Sequence, residues 1–338
     1  MAADLRDVSS SEAAIQAASN LGEGIGQIRL PMAGNPLRYI NGYVLEDDGG
    51  LTVVDCGWKA DDVLAAMHAG LHALGHALSD VRRVVITHHH FDHYGLAATL
   101  RRAGVPELLM SERDWKRAEG FAQSRVANDR AADAWLARNG FAPREIDDEG
   151  FAGRWEVMEP TRTIADGDRI GRLEAVWTPG HSPGHMCFVD TRSSRILSGD
   201  HVLDPITPHV GMWRGHEGDP LGDYLASLEK VRGRGPAGAL PAHGEPFPDF
   251  DRRVDELIAH TGQRDAQVLA ALEGGAASAG EIAMRLPWTR RNRSFTDLGD
   301  WHQQFAVAET IAHLHHLEAI GRVRREAGPD PIRYIAVT

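Results

Sequence analysis

Seven consecutive residues, Thr87-His88-His89-His90-Phe91-Asp92-His93, carry four imidazoles and one carboxylate. Histidine is the commonest transition-metal ligand, and mixed imidazole and carboxylate sets suit zinc, iron or manganese. The preceding Val84-Val85-Ile86 reads as a short buried strand, and the stretch from Tyr94 to Arg102 reads as a helix. The cluster therefore sits on a strand-to-helix loop. In extended chain His88 and His90 point to one side, whereas Asp92 and His93, on the turn into the helix, can face a neighbouring point. Such a geometry supplies ligands for two metals rather than one.

The same chemistry recurs downstream. Thr178-Pro179-Gly180-His181-Ser182-Pro183-Gly184-His185 is a glycine- and proline-punctuated loop with two histidines. Ile196-Leu197-Ser198-Gly199-Asp200 is a short apolar strand ending in a carboxylate, and Pro241-Ala242-His243-Gly244 is a loop with one more histidine. Each places a ligand candidate where a strand gives way to a loop, the usual place for functional groups on a rigid scaffold.

In this order, the four motifs resemble the metallo-β-lactamase superfamily: its HxHxDH signature, second histidine loop, bridging aspartate and final histidine, over roughly residues 25 to 250. The resemblance implies an α/β fold, the αββα sandwich of two mixed sheets with helices outside and metals at one sheet edge. It also implies roles. His88, His90 and His185 would hold one metal, Asp92, His93 and His243 a second, and Asp200 would bridge them. Asp55 and His181 would stand behind the ligands, since ligating histidines need partners that fix tautomer and direction. Cys56 takes the place of the usual threonine after that aspartate. Two divalent ions are implied, zinc by default, with iron and manganese accepting the same donors. About 3.5–4 Å apart, two such ions share a water, lower its pKa and polarise the bond to be broken. Asp92 would take the proton, and Tyr94, next to the cluster, would donate to a developing oxyanion. The expected activity is hydrolysis of a small acyl substrate, a thioester, ester or lactone. The bridging aspartate and the Thr-Pro-Gly-His loop are more like the thioester-hydrolysing glyoxalase II group than antibiotic-degrading lactamases.

Composition fits a soluble enzyme. The 338 residues have 36 basic and 48 acidic side chains, a net charge of −12, which disfavours nonspecific nucleic-acid or anionic-membrane binding. The two cysteines lie in apolar, strand-like stretches and suit a reducing compartment, and the first twenty residues lack a signal-type apolar core. A cytoplasmic location is the expectation.

The elements that must position the ligands divide into a catalytic domain at 20–250 and a C-terminal module at 251–338. Gly49-Gly50 marks a hairpin, and 60–79 reads as an amphipathic helix whose His68, His72 and His76 are packed or solvated rather than ligating. Residues 111–160, with Trp115, Trp135 and Trp155, read as a helical insertion that could form a lid. His209 reads as a surface histidine that could reach the substrate, with Met212 and Trp213 on the pocket wall. Beyond Phe247-Pro248-Asp249 come a helix at 251–273, another capped by Ser278 with Glu281, a third at 301–320, and two short strands. That order resembles a winged-helix module. His313, His315 and His316 on the third helix have no carboxylate at matching spacing. The module could build a homodimer. A second reading, a metal-dependent endoribonuclease holding RNA on Arg290, Arg291, Arg293, Arg322, Arg324 and Arg325, has the net charge against it.

Overall fold

The computed structural model describes residues 18–123, 125–142, 156–215, 218–289, 292–328 and 330–337. Arg290, Arg291 and Trp155 lie outside the described residues.

The first sheet begins as an antiparallel meander, β1 (Ala18–Asn20), β2 (Ile25–Pro31), β3 (Tyr39–Asp47) and β4 (Gly50–Val54), joined by short connections. From β4 the chain crosses by helices, which makes the next pairings parallel. Helix α1 (Asp61–Ala73) leads to β5 (Val81–Val85), α2 (Phe91–Tyr94) and α3 (Ala97–Arg102) to β6 (Glu107–Ser111), and α4 (Glu112–Gln123) and α5 (Arg125–Arg138) toward β7 (Arg162–Ile164). The second sheet contains β8 (Arg169–Ile170), β9 (Leu173–Trp177), β10 (Met186–Asp190), β11 (Ile196–Gly199) and β12 (Ala239–Pro241). Its one parallel pair, β11 with β12, is joined through helix α6 (Pro220–Val231).

Period-2 alternation divides the apolar residues between layers. In β6, Leu109 enters the core between the sheets while Leu108 and Met110 face the outer helices. In β10, Met186 and Phe188 face the other sheet, and Cys187 faces outward. Strands buried on both faces are near-continuous apolar runs, as Val84-Val85-Ile86 is. The result is the four-layer αββα sandwich.

The C-terminal segment consists of α7 (Phe250–Ala271), α8 (Ala279–Arg285), α9 (Asp300–Ala319) and a ribbon of β13 (Val323–Arg325) and β14 (Tyr334–Ala336). Ser278 and Glu281 form the expected capping box at α8. The segment shares one apolar cluster with the outer face of the second sheet: Val176, Cys187 and Ile196 pack in the same cluster as Val254, Ile311 and Tyr334. His313 and His316, without partners at matching spacing, find carboxylates on other elements. His313 Nδ1 lies 2.6 Å from Asp265 of α7, and His316 Nδ1 lies 2.7 Å from Asp219 at the start of α6.

The insertion at 111–160 is fastened to this segment. Gly280 N donates to Asn139 O (3.0 Å), Ile332 N donates to Arg138 O (2.8 Å), and Phe141 meets Phe295 edge-on at 5.8 Å. A Cβ on Gly280 would lie 2.1 Å from Gly140 O, so only glycine allows this approach. Among the described residues, no helix is long and apolar enough to cross a membrane.

Candidate metal centre

Both donor sets assemble at the C-terminal ends of β5, β9, β11 and β12. Asp55, just past β4, adopts a φ of 60°, and its carboxylate accepts hydrogen bonds from Thr87 N (2.9 Å), Thr87 Oγ1 (2.9 Å) and His93 Nδ1 (2.8 Å). It thus sets both the loop backbone and the direction of one ring. Gly199 closes β11 with a φ of 51°, and a Cβ there would stand 2.6 Å from His185 Nε2. The sharp turn it permits places Asp200 at the centre of the site.

One group of potential ligand atoms, all within 4.8 Å of one another, comes from His88, His90, His181 and Asp200; a second comes from Asp92, His93 and His243. In the first, His88 Nε2 is 2.8 Å from His90 Nδ1 and 3.1 Å from His181 Nε2, and the last two are 3.0 Å apart. In the second, Asp92 Oδ2 lies 3.4 Å from His243 Nε2 and 3.7 Å from His93 Nε2. Asp200 stands between the groups, with Oδ2 at 3.5 Å from His181 and 3.6 Å from His93, and Oδ1 at 3.6 Å from His243.

The tautomers show what these atoms are suited to bind. His181 Nδ1 donates to His209 O (2.8 Å), His243 Nδ1 to Tyr39 O (3.2 Å), and His93 Nδ1 to Asp55. Burial lowers the His181 pKa, so that ring then presents a bare Nε2 lone pair to the cavity. Against their burial, the carboxylates of Asp55, Asp92 and Asp200 raise the pKa of His93, and those of Asp200 and Asp92 raise that of His243. Lone pairs facing one another at about 3 Å repel unless a cation lies among them, and His93 Nε2 and Asp200 Oδ1 are buried without a hydrogen-bond partner. Tetrahedral zinc with bonds of about 2.0–2.1 Å holds its ligands about 3.3 Å apart, close to the separations here. Burial keeps the His88 and His90 pKa values well below the usual histidine range, which leaves them neutral as ligands must be. Burial opposes charge on Asp92 and Asp200, yet the surrounding imidazoles hold both carboxyls below their usual range. The donor set fits divalent metal.

Two expected roles are corrected. His185 does not join the first group. It is the residue before β10 and shares the outward parity of Cys187; its Nε2 accepts from Asp200 N (3.2 Å) and its Nδ1 faces Thr178 Oγ1 (2.8 Å). His181, expected behind the ligands, instead occupies the loop tip and completes the group. The parity with Cys187 was the signal that could have separated the two. Tyr94 is also displaced. It is 1% exposed, packed in the cluster of Trp58 and Leu96, and its hydroxyl both donates to Met158 O and accepts from Met158 N. Its hydroxyl is engaged by the Met158 backbone rather than by either donor set. His209 is half-buried rather than fully on the surface.

One residue was missed altogether. Asp114, at the start of α4, is fully buried, and it accepts from His89 N (2.9 Å), Ser182 Oγ (2.7 Å) and Gly184 N (2.7 Å). It ties the two histidine loops together. Burial alone would raise its pKa, but the His89 ring and these hydrogen bonds hold it down at about 2. Both thiols are buried, Cys187 with a pKa pushed up to about 12 and Cys56 raised further, so neither offers a thiolate.

Comparison with known proteins agrees with this geometry. Residues 35–243, which contain both donor sets, match the family model described as metallo-beta-lactamase superfamily. The chain belongs to that superfamily. Residues 266–337 match its companion, the metallo-beta-lactamase-like C-terminal domain. A metallo-beta-lactamase family protein from Thermus thermophilus, TTHA1429, is 30% identical, with a TM-score of 0.80 over 94% of this chain and 100% of its own. A beta-lactamase domain protein from Burkholderia ambifaria is 29% identical, again with a TM-score of 0.80, over 95% of this chain and 94% of its own. The probable metallo-hydrolase YqjP of Bacillus subtilis is 26% identical over 82% of this chain and 87% of its length. An atrochrysone carboxyl ACP thioesterase of Aspergillus fumigatus is 26% identical over 72% of this chain, which spans 64% of that protein. The fold and the superfamily of metal-binding hydrolases are therefore established.

Proposed function

We propose that this metallo-hydrolase cleaves small acyl thioesters, holding one divalent ion on His88, His90 and His181, a second on Asp92, His93 and His243, with Asp200 between them. The observation that carries the reading is the complete seven-residue donor set with a carboxylate at its centre. The thioesterase name of the fungal relatives points the same way.

When bound, such ions supply an activated water and polarise the carbonyl under attack. The protein does the rest. Asp92, whose Oδ2 lies 3.4 Å from His243 Nε2 and 3.7 Å from His93 Nε2, is placed beside that water to accept its proton. Asp55 and the carbonyls of Tyr39 and His209 hold the imidazoles in the tautomer that leaves Nε2 bare. Because thiols ionise near pH 8.5, a thiolate departs without a proton donor, whereas an alkoxide needs one. Withdrawal of Tyr94 from the site therefore favours thioesters over alkyl esters.

The test is an initial-rate panel on metal-analysed protein, comparing acyl thioesters, aryl esters, lactones, a β-lactam and a short RNA, with and without chelator. Chelator-sensitive preference for thioesters is the expected result. Cleavage of RNA or the β-lactam in preference to every thioester would overturn the proposal.

A further inference from the structure

A cavity of about 150 Å³ lies where the catalytic domain meets the C-terminal segment, between the loop at 207–210, α6, α7 and α9. Its apolar lining comes from Leu221 and Tyr224 of α6, Leu257 of α7 and Trp288, each at most 6% exposed. The polar atoms of the two aromatic residues are engaged elsewhere, the Tyr224 hydroxyl by His201 O (3.1 Å) and Trp288 Nε1 by Ala283 O (2.8 Å). They therefore contribute apolar surface. A void of this size holds about one benzene-sized group, and domain interfaces are a common place for ligand pockets.

The same lining carries one guanidinium and one carboxylate, Arg264 of α7 and Glu309 of α9. Arg264 Nε lies 3.4 Å from Glu309 Oε1, yet it is buried with no hydrogen-bond partner among the described residues. Arg264 is 9% exposed, and its guanidinium stacks over Trp288 at 4.5 Å. Its hydrogen bonds, to Gln267 Oε1 (3.0 Å) and Pro287 O (2.9 Å), both leave from Nη1. Among the described residues, neither Nη2 nor the Glu309 carboxylate has a hydrogen-bond partner. Burial opposes charge on Glu309, but Arg264 holds its carboxyl below the usual range, so it is an anion at neutral pH. Charges withdrawn from water need hydrogen-bond partners. This pair is incomplete without one.

We infer that this cavity binds a free α-amino acid with an apolar side chain, its ammonium on Glu309, its carboxylate on Arg264 Nη2 and its side chain among Leu221, Leu257 and Trp288. Such a ligand carries opposite charges on one carbon and none overall, which matches an adjacent guanidinium and carboxylate. A simple anion would meet Glu309, and a simple cation would meet Arg264. Charge-assisted hydrogen bonds are about twice as strong as neutral ones, which favours the zwitterion over a neutral amide. The site shares no residue with either donor set. It borders them through His209, which lines the cavity and whose carbonyl accepts from His181 Nδ1 (2.8 Å). The inference does not depend on which acyl substrate the metal centre cleaves.

The test is calorimetric titration of the full-length, metal-loaded protein with L-leucine, glycine, N-acetyl-L-leucine and L-leucinamide. Leucine should saturate one site per chain. The other three each lack the side chain or one charge, and should bind at least about tenfold more weakly. Glu309→Gln keeps the volume and removes the charge, and should weaken leucine binding at least about tenfold. The ligand series on the wild type is decisive even where that variant unfolds. Because α-amino acids also chelate metals, the leucine titration is repeated with chelator present, and binding should persist. Leucine binding that vanishes with the metal and is unmoved by Glu309→Gln belongs to the donor sets and overturns the site. Leucinamide or N-acetyl-L-leucine binding as tightly as leucine would do the same, as would the absence of saturable leucine binding at about 10 mM.

Discussion

Replacing Asp114 tests whether the two histidine loops are held as one unit. The carboxylate is completely buried, and its oxygens accept from backbone N–H groups of both loops, His89 and Gly184, and from the Ser182 hydroxyl. Hydrogen bonds to a charged group contribute about 1.5–3 kcal/mol each, but bonds to one carboxylate are not additive. Breaking a buried charged network by deleting one partner typically costs about 3–5 kcal/mol. Asp114→Ala should therefore lose about 3–5 kcal/mol, because three buried donors lose their acceptor. Asp114→Asn keeps one oxygen but sets an amide NH2 against an N–H donor, so a loss of about 1.5–3 kcal/mol is expected. Loosening both loops also moves His90 and His181 relative to each other, and such supporting residues typically contribute about 10–100-fold to metal affinity. Urea unfolding of chelated protein measures the first effect, and calorimetric zinc titration of refolded variants measures the second. If Asp114→Ala unfolds within about 0.5 kcal/mol of wild type and binds zinc as tightly, the loops are positioned independently and the reasoning fails.

The exchange of the two loop histidines is directly testable: His181→Ala should lower metal stoichiometry with little change in chelated stability, whereas His185→Ala should destabilise the chelated protein first. Metal analysis beside thermal melting separates these, and full metal content in His181→Ala would contradict the geometry. A pH-dependent contribution should come from the Asp219–His316 pair between α6 and α9. His316 has its pKa raised by its hydrogen bond to Asp219, with Asp265 also nearby; Asp219 is held low by His316 and Gly222 N against its burial. The histidine's contribution is complete below about pH 6.5 and is lost as pH rises through its raised folded value; the carboxylate's is present above about pH 3.9 and is lost as pH falls through its depressed one. The stability gap between wild type and His316→Gln should thus be widest at about pH 4–6.5 and shrink toward pH 9, and a gap that grows with pH would refute the pairing.

What could be read from the sequence was what is local in it. His88, His90, Asp92 and His93 lie within six positions, so their spacing alone pointed to a cluster of metal donors, and the apolar runs ahead of each motif revealed the strands. Residues whose role depends on the direction of a side chain were harder. His181 lies at the loop tip, whereas His185 immediately precedes β10 and shares the outward parity of Cys187, away from the cavity. Tyr94 sits two positions past Asp92, and that turn of helix points it into the layer of Trp58 rather than toward the ligands. Asp114 could not be found at all, because its partners His89 and Ser182 lie 25 and 68 positions away and only the fold brings them to it.

The C-terminal segment carries the same lesson further. Its helices were legible, but their relation to the site was not, since nothing in the sequence of α9 announces that Phe305 O will accept from His209, whose own carbonyl sets His181. Met212 N also donates to Ala308 O, at 2.9 Å, so the loop after Asp200 is pinned to α9 at two points. A ligand imidazole is thus oriented through a chain of hydrogen bonds that ends in the last third of the protein. With the shared apolar cluster, this makes the segment part of the structure that holds the metal centre rather than an appendage to it. Any change that shifts α9 should then be felt at His181 before it is felt at His243, whose supporting carbonyl belongs to Tyr39 on the opposite sheet.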